Sequence, residues 1–346
     1  MKNRITHILL ILIFLLTLTE SYGSGKKRLL NLKGQWKFSI GDDKTRAEPN
    51  FDDSAWDNIF VPSSWEDEGY PGYDGYAWYR KSFEYDEDFE NRDLTLILGF
   101  IDDVDEVYLN GIKIGTTGSF PPIYFTSYNS ERMYHIPQYL LKKDSENVIA
   151  VRVYDDRLQG GMLRGNFGIY TGVTELLPVI NLCGRWLFKI AENNDDWGET
   201  DWEEITVPLR WDYQGYKHFN GFAWYKKDVI IPKELAGKQL ILLAGKIDDY
   251  DQTFFNDKEI GSTGNIHNIP DDIRHSSQWD KQRVYYIPSD LIKYDKVNTI
   301  KIKVYDGYLH GGIYAGQVGI ITLEKYKRLK KNTQRRKKSF WERLFN

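Results

Sequence analysis

The chain has 346 residues, with 46 Lys and Arg against 50 Asp and Glu and a formal net charge of −4. That balance excludes a nucleic-acid partner bound through bulk charge, and a single cysteine, Cys183, excludes an intrachain disulfide. Aromatic residues make up 15% of the chain, including 24 Tyr and 11 Trp, a composition that favours strands.

At the N-terminus, Lys2 and Arg4 precede the apolar run Ile8–Leu18, and Ser21 and Gly23 are small residues at cleavage spacing. Residues 1–23 read as a signal peptide, so the mature chain is expected to be exported to the periplasm, the cell surface or the medium. The apolar run is shorter than the about 20 residues of a membrane-spanning helix. An uncleaved anchor is the alternative.

From residue 32 onward the chain writes itself twice. "LKGQWKFSI" (32–40) returns as "LCGRWLFKI" (182–190), and "DGYAWYRKSF" (74–83) as "NGFAWYKKDV" (220–229). "FIDDVDEVYLNGIKIGTTG" (100–118) returns as "KIDDYDQTFFNDKEIGSTG" (246–264). "RMYHIP" (132–137) returns as "RVYYIP" (283–288), and "VYDDRLQGGMLRG" (153–165) as "VYDGYLHGGIYAG" (304–316). A period near 150 residues is too long for a solenoid and marks a duplicated domain. In "NVIAVRVY" the residues Ile149, Val151 and Val153 share one face, and Ile300, Ile302 and Val304 repeat the pattern; the other face carries Arg152, Lys301 and Lys303. That is a half-buried strand. Asn110-Gly111 is a hairpin signal, with Asn256-Asp257 a weaker turn in the same place.

These signals predict an all-β chain of two tandem antiparallel β-sandwich, jelly-roll domains, at 24–175 and 176–324. Only single helical turns are expected, near 137–141 and 288–292. The join Thr171–Asn181 is short and poor in Gly and Ser, which predicts a fixed arrangement. Residues 325–346 form a tail. Nine basic residues between Lys325 and Lys338 predict a solvated, mobile segment. Phe340, Trp341, Leu344 and Phe345 then make a helical stripe suited to an anionic membrane or envelope surface, with a disordered end as the alternative.

The candidate site residues follow from the same repeat. Trp36 and Trp186 lie in amphipathic strands and are expected in the core; Trp56 and Trp202 are expected in the core or as staples. Loop aromatics stack on sugar rings, so Trp65, Tyr70, Tyr73, Trp211, Tyr213 and Tyr216 are ligand candidates. Trp78 and Trp224 lie in the repeated strand, whose preserved faces read as scaffold, and stay as floor residues. The pairs Asp102-Asp103 and Asp248-Asp249 are expected to brace turns. As strand neighbours they point to opposite faces, so neither pair forms an acid/base couple by itself. Gly160-Gly161 and Gly311-Gly312 suggest positive φ or a close approach, with Arg164 and His310 beside them as candidate cleft residues. There is no Gly-x-Ser-x-Gly elbow and no His-Glu-x-x-His. His267, Asp271, Asp272 and His275 lack a regular ligand spacing. No catalytic residue, metal or cofactor is expected.

The stretch "NLKGQWKFSIGDD" with "WDNIFVPSSWEDEGYPGYDGYAWYRKSF" resembles the N-terminal sugar-binding jelly roll of family 2 glycoside hydrolases, which include β-galactosidases and β-glucuronidases. "LGFIDDVDEVYLNGIKIG" and "VIAVRVYD", followed by a Gly pair, are similar to the galactose-binding-like jelly roll of bacterial sialate O-acetylesterases. The resemblance covers Leu32–Tyr170 and Leu182–Ile321. It implies a carbohydrate ligand, with Asp155 and Asp306 bordering the sugar at a rim. The catalytic barrel of family 2 enzymes takes about 250 residues, and 25 residues follow Ile321. "DIRH" (272–275) matches the Asp-x-x-His of the acetylesterases only as a string, without their Gly-Asp-Ser block. The reading is an exported, non-catalytic carbohydrate-binding accessory protein. The alternatives are an envelope scaffold that holds a partner enzyme, and a β-galactosidase-like or esterase-like component.

Overall fold

The computed structural model describes residues 26–173, 175–191, 200–269 and 278–331. The expected signal peptide and aromatic stripe, together with Asp271, Asp272 and His275, lie outside these residues.

Ten strands form the first sandwich: β1 (Lys27–Asn31), β2 (Gly34–Ile40), β3 (Asp57–Val61), β4 (Gly75–Phe83), β5 (Leu94–Asp102), β6 (Val104–Leu109), β7 (Ile112–Thr117), β8 (Glu131–Ile136), β9 (Asn147–Asp155) and β10 (Gly161–Thr171). Ten more form the second: β11 (Ile180–Asn181), β12 (Gly184–Ala191), β13 (Glu203–Val207), β14 (Gly221–Ile230), β15 (Leu240–Ile247), β16 (Tyr250–Phe255), β17 (Lys258–Thr263), β18 (Gln282–Ile287), β19 (Val297–Asp306) and β20 (Ile313–Thr322).

Each sandwich packs a six-stranded sheet on a four-stranded one. The orders are β3-β2-β4-β9-β6-β7 on β1-β10-β5-β8, and β13-β12-β14-β19-β16-β17 on β11-β20-β15-β18. Adjacent strands are antiparallel throughout, and the two faces of each β9-type strand separate as its alternation requires. Ile149, Val151 and Val153 enter the first core, while Ile300, Ile302 and Val304 enter the second. On the outer face Arg152 pairs with Asp42 at 2.6 Å and Glu106 at 3.0 Å. Trp36 and Trp186 are buried as expected, each donating its indole N–H to a carbonyl four residues back, Leu32 or Leu182, at 2.8 Å.

The hairpin residues take left-handed φ in both copies, 51° at Asn110 and 47° at Asn256. Each Asn does more than turn the chain. Asn110 donates to the Leu140 carbonyl at 2.7 Å and accepts from the Val148 N–H at 2.9 Å. Asn256 does the same with Leu291 and Thr299. Single 3-10 turns stand at Gln138–Leu140 and Ser289–Leu291.

The join holds the sandwiches against each other. Leu177 packs with Ile97, Tyr170 and Val173 of the first, and Leu176 with Ile241, Leu243 and Ile321 of the second. The start of the basic tail departs from expectation: residues 323–331 are helical and docked rather than solvated. Leu329 is buried, and Lys325 donates to Asp93 of the first sandwich at 2.8 Å, with Arg328 on the other Asp93 oxygen at 2.6 Å. The charge run misled because one acidic side chain and one apolar face are enough to seat two basic residues. Among the described residues no helix is long and apolar enough to cross a membrane.

Candidate functional site

Three aspartates converge in each sandwich. Asp102 ends β5, Asp103 occupies the single step before β6, and Asp155 ends β9. In the second sandwich Asp248 and Asp249 lie between β15 and β16, and Asp306 ends β19. Alternation along a strand would send Asp102 and Asp103 to opposite faces. It does not apply, because β5 and β6 belong to different sheets and the chain crosses between them at this point. In each trio one carboxylate oxygen per residue lies within 4.8 Å of the others.

The partners of these carboxylates divide. Asp103 accepts from the Asp156 N–H at 3.1 Å and from the Thr126 hydroxyl, and Asp249 accepts from the Gly307 N–H at 3.0 Å. That is the turn-bracing role expected of the pairs. Asp155 has no exposed surface, and among the described residues neither of its carboxylate oxygens has a hydrogen-bond partner. Asp306 is equally buried, with Oδ2 unpartnered. Burial first, and then the charges of Asp103 and Asp102, push the Asp155 carboxyl up to about 8. Burial and the charges of Asp248 and Asp249 do the same at Asp306, also to about 8. Asp102 is raised to about 7 and Asp248 to about 6, again chiefly by burial.

Asp155 and Asp306 therefore do not border a rim. A Cβ on Gly160 would stand 2.1 Å from Trp65 Cζ2 and 2.9 Å from the Asp155 Cβ, so the Gly turn lies directly on both. Gly311 sits on Trp211 in the same way, at 2.0 Å. The second glycine of each pair has positive φ, 116° at Gly161 and 103° at Gly312. Glu66 and Asp212 accept the Gly160 and Gly311 N–H groups and hold the turns down.

Behind the carboxylates lies a buried cation that the sequence reading passed over. Arg132 is paired with Asp105 at 2.6 Å, both without exposed surface, and donates to the Asp103 carbonyl at 2.8 Å. Arg283 repeats this with Asp251 at 2.7 Å and the Asp249 carbonyl at 2.7 Å. The signal was present: "RMYHIP" and "RVYYIP" both open on Arg, and an Asp follows two residues after each Asp pair.

Most of the expected sugar-stacking aromatics are not available to a ligand. Trp65 and Trp211 have no exposed surface, because the loops that carry them fold under the Gly turns. Trp78 is covered by the segment around Ala47 and stacks on Tyr108. Trp224 is buried beside Phe254 and Lys303. Tyr70 and Tyr216 pack on Phe38 and Phe188 and give their hydroxyls to Asp57 and Glu203, while the Tyr73 hydroxyl donates to the Tyr76 carbonyl at 2.7 Å. Arg164 is exposed but lies flat on Phe100, 3.9 Å from the ring centre. His310 is exposed, with Nδ1 3.4 Å from Asp212. Tyr213 is 58% exposed and stacks on Phe125 of the first sandwich, with ring centres 6.0 Å apart and an interplanar angle of 17°.

Phe125 stands at the wall of a cleft of about 390 Å³ between the sandwiches. Ser127, Ser130, Glu131, Asn181 and Gln317 add polar groups to it. Cys183 also lines the cleft; burial pushes its thiol up to about 11, which keeps it from acting as a thiolate. Phe125 belongs to the loop that Thr126 ties to Asp103, so the cleft wall and the first carboxylate trio share one support.

No family model matches the chain. Over 164 residues, 43% of its length, it is 28% identical to a β-glucuronidase of Formosa agariphila, the match taking in 15% of that enzyme. It is 28% identical over 41% of its length to a β-galactosidase of Bacteroides ovatus, here 17% of the relative. The matched stretch thus spans less than a fifth of these curated relatives. Among solved structures, a family 2 β-glucuronidase shares 18% identity at a TM-score of 0.38, covering 82% of this chain and 27% of that one. The β-glucuronidase of Ruminococcus gnavus shares 14% at 0.36, covering 85% and 46%. The chain is similar to part of family 2 glycoside hydrolases.

Proposed function

We propose that this chain is an exported, non-catalytic accessory protein that binds carbohydrate in the cleft between its two sandwiches. The observation that carries the reading is the cleft itself, with exposed Phe125 on its wall, Tyr213 stacked on that ring, and hydroxyl, amide and carboxylate groups around it. Sugar rings need an apolar face to stack on and polar groups in the plane around it. The partial similarity to a β-glucuronidase and a β-galactosidase supports a carbohydrate ligand. A hydrolytic role gains no support from the close carboxylates: Asp155 and Asp306 are buried and do not reach a glycosidic bond. Export rests on residues 1–23, and contact with an anionic envelope surface rests on the tail beyond residue 331.

The test is a glycan array followed by calorimetry on the full chain, with Tyr213→Ala and Phe125→Ala. Each substitution is expected to weaken glycan binding at least tenfold while leaving the melting temperature within about 2 °C, as for exposed positions. Failure of every glycan to bind, or unchanged affinity in both variants, overturns the reading.

A further inference from the structure

The two carboxylate trios remain outside the carbohydrate reading, and three features single them out. A fully buried carboxylate without a hydrogen-bond partner is costly to keep charged. Here Asp155 has neither oxygen partnered, and Asp306 has Oδ2 unpartnered while Oδ1 accepts from the Tyr308 N–H at 3.4 Å; each stands among two further carboxylates within 4.8 Å. The nearest buried guanidiniums do not relieve them, because Arg132 and Arg283 spend their N–H groups on Asp105, Asp251 and backbone carbonyls. The arrangement also recurs although the flanking residues differ, "DDV" and "YDDRL" in one copy against "DDY" and "YDGYL" in the other.

We propose that Asp102, Asp103 and Asp155 bind one divalent cation, and that Asp248, Asp249 and Asp306 bind a second, with calcium the ion that fits. Hard oxygen ligands suit calcium or magnesium. Calcium takes oxygens at about 2.3–2.6 Å, so two opposite ligands stand about 4.8 Å apart; magnesium needs about 4.1 Å and a stricter octahedron. Carboxylate oxygens within 4.8 Å of one another can meet on one ion, and calcium's flexible coordination demands less exact placement than magnesium's octahedron. Asp102 and Asp248 are only half-buried, which gives the ion a way in and leaves room for water ligands. The ion would clamp the crossover between the two sheets of each sandwich to the end of β9 or β19. In the first sandwich it would also stiffen the Thr126 loop beside the cleft. The proposal does not depend on sugar binding.

The test uses the full chain stripped with EDTA and titrated with calcium or magnesium chloride by calorimetry, with thermal melting in parallel. Two equivalents of calcium are expected to bind, with a rise in melting temperature. Asp155→Asn and Asp306→Asn should each retain one equivalent, and the double variant none, with an unchanged far-ultraviolet circular dichroism spectrum. Terbium keeps the proposal testable if the variants misfold. Bound in the unaltered chain beside Trp65 and Trp211, it should show indole-sensitised emission that calcium quenches. Absence of calcium uptake up to about 1 mM, the weak end of extracellular calcium modules, overturns the proposal, as do two equivalents retained by a folded double variant or terbium emission insensitive to calcium. Magnesium uptake without calcium uptake overturns the choice of ion.

Discussion

At Gly160 a single missing Cβ decides how the carboxylate end of the first sandwich closes. The Trp65 ring occupies the space a side chain would take, and Asp155 lies against the same backbone. Trp65 is fully buried and donates to the Tyr73 carbonyl at 3.0 Å, so it has nowhere to withdraw. Overpacking of this kind costs about 1–3 kcal/mol. Gly160→Ala is therefore expected to lower the melting temperature by roughly 3–9 °C, at the about 3 °C per kcal/mol typical of a domain of this size; an unchanged melting curve would refute the packing account. In the sequence, "QGG" and "HGG" announced glycines needed for backbone reasons. What pressed on them was not readable, because Trp65 stands 95 residues earlier and its loop composition suggested exposure.

Between elements, β8 and β6, from the two sheets of the first sandwich, are tied by the Arg132–Asp105 pair, and β18 and β16 of the second by Arg283–Asp251. Neither partner is reachable by water, and Tyr134 and Tyr285 add their hydroxyls to the same aspartates. Breaking such a pair from one side leaves a buried charge uncompensated, at about 3–5 kcal/mol. Arg132→Ala should lower the unfolding free energy of the first sandwich by that amount in urea titration, and Arg283→Ala that of the second. A loss below about 1 kcal/mol would remove the pair from the structural account. Strand alternation placed the apolar faces of β9 and β19 correctly, since that rule needs only neighbours in sequence. It failed at Asp102-Asp103 because the chain changes sheets there.

For the molecule as a whole, Asp93 is the electrostatic hinge between the first sandwich and the helix that follows the second. Burial alone would raise its carboxyl, but the hydrogen bond with His135 and the charge of Lys325 outweigh this and hold it well below the usual carboxylate range. Burial pulls the His135 imidazole below its usual value, and its Nδ1 stands 3.3 Å from Asp93 and 3.0 Å from the Lys325 ammonium. A carboxyl depressed in the folded state binds fewer protons there than in the unfolded chain. Its stabilisation is thus present above the unfolded value near 3.8 and is lost as pH falls through the lower folded value. Thermal melting from pH 6 downward is expected to show the unaltered chain converging on Asp93→Asn at the acid end. At pH 6 the variant should be less stable by about 1–3 kcal/mol. A constant gap across the range would show that Asp93 acts through shape rather than charge.

The sequence by itself determined the β class, the strand faces, the hairpin turns and the correspondence of the two halves, because each rests on spacing within a few residues or on direct comparison of like segments. It also marked Tyr213 and the two Asp pairs as notable. Only the tertiary structure decided that Trp65, Trp211, Trp78 and Trp224 are covered, that Tyr213 meets Phe125, and that a third aspartate with an unpartnered carboxylate oxygen joins each pair. It also seated the basic segment after residue 322 on Asp93. These outcomes depend on residues from about 30 to 235 positions apart meeting in space, and burial is a property of what covers a side chain rather than of the side chain itself.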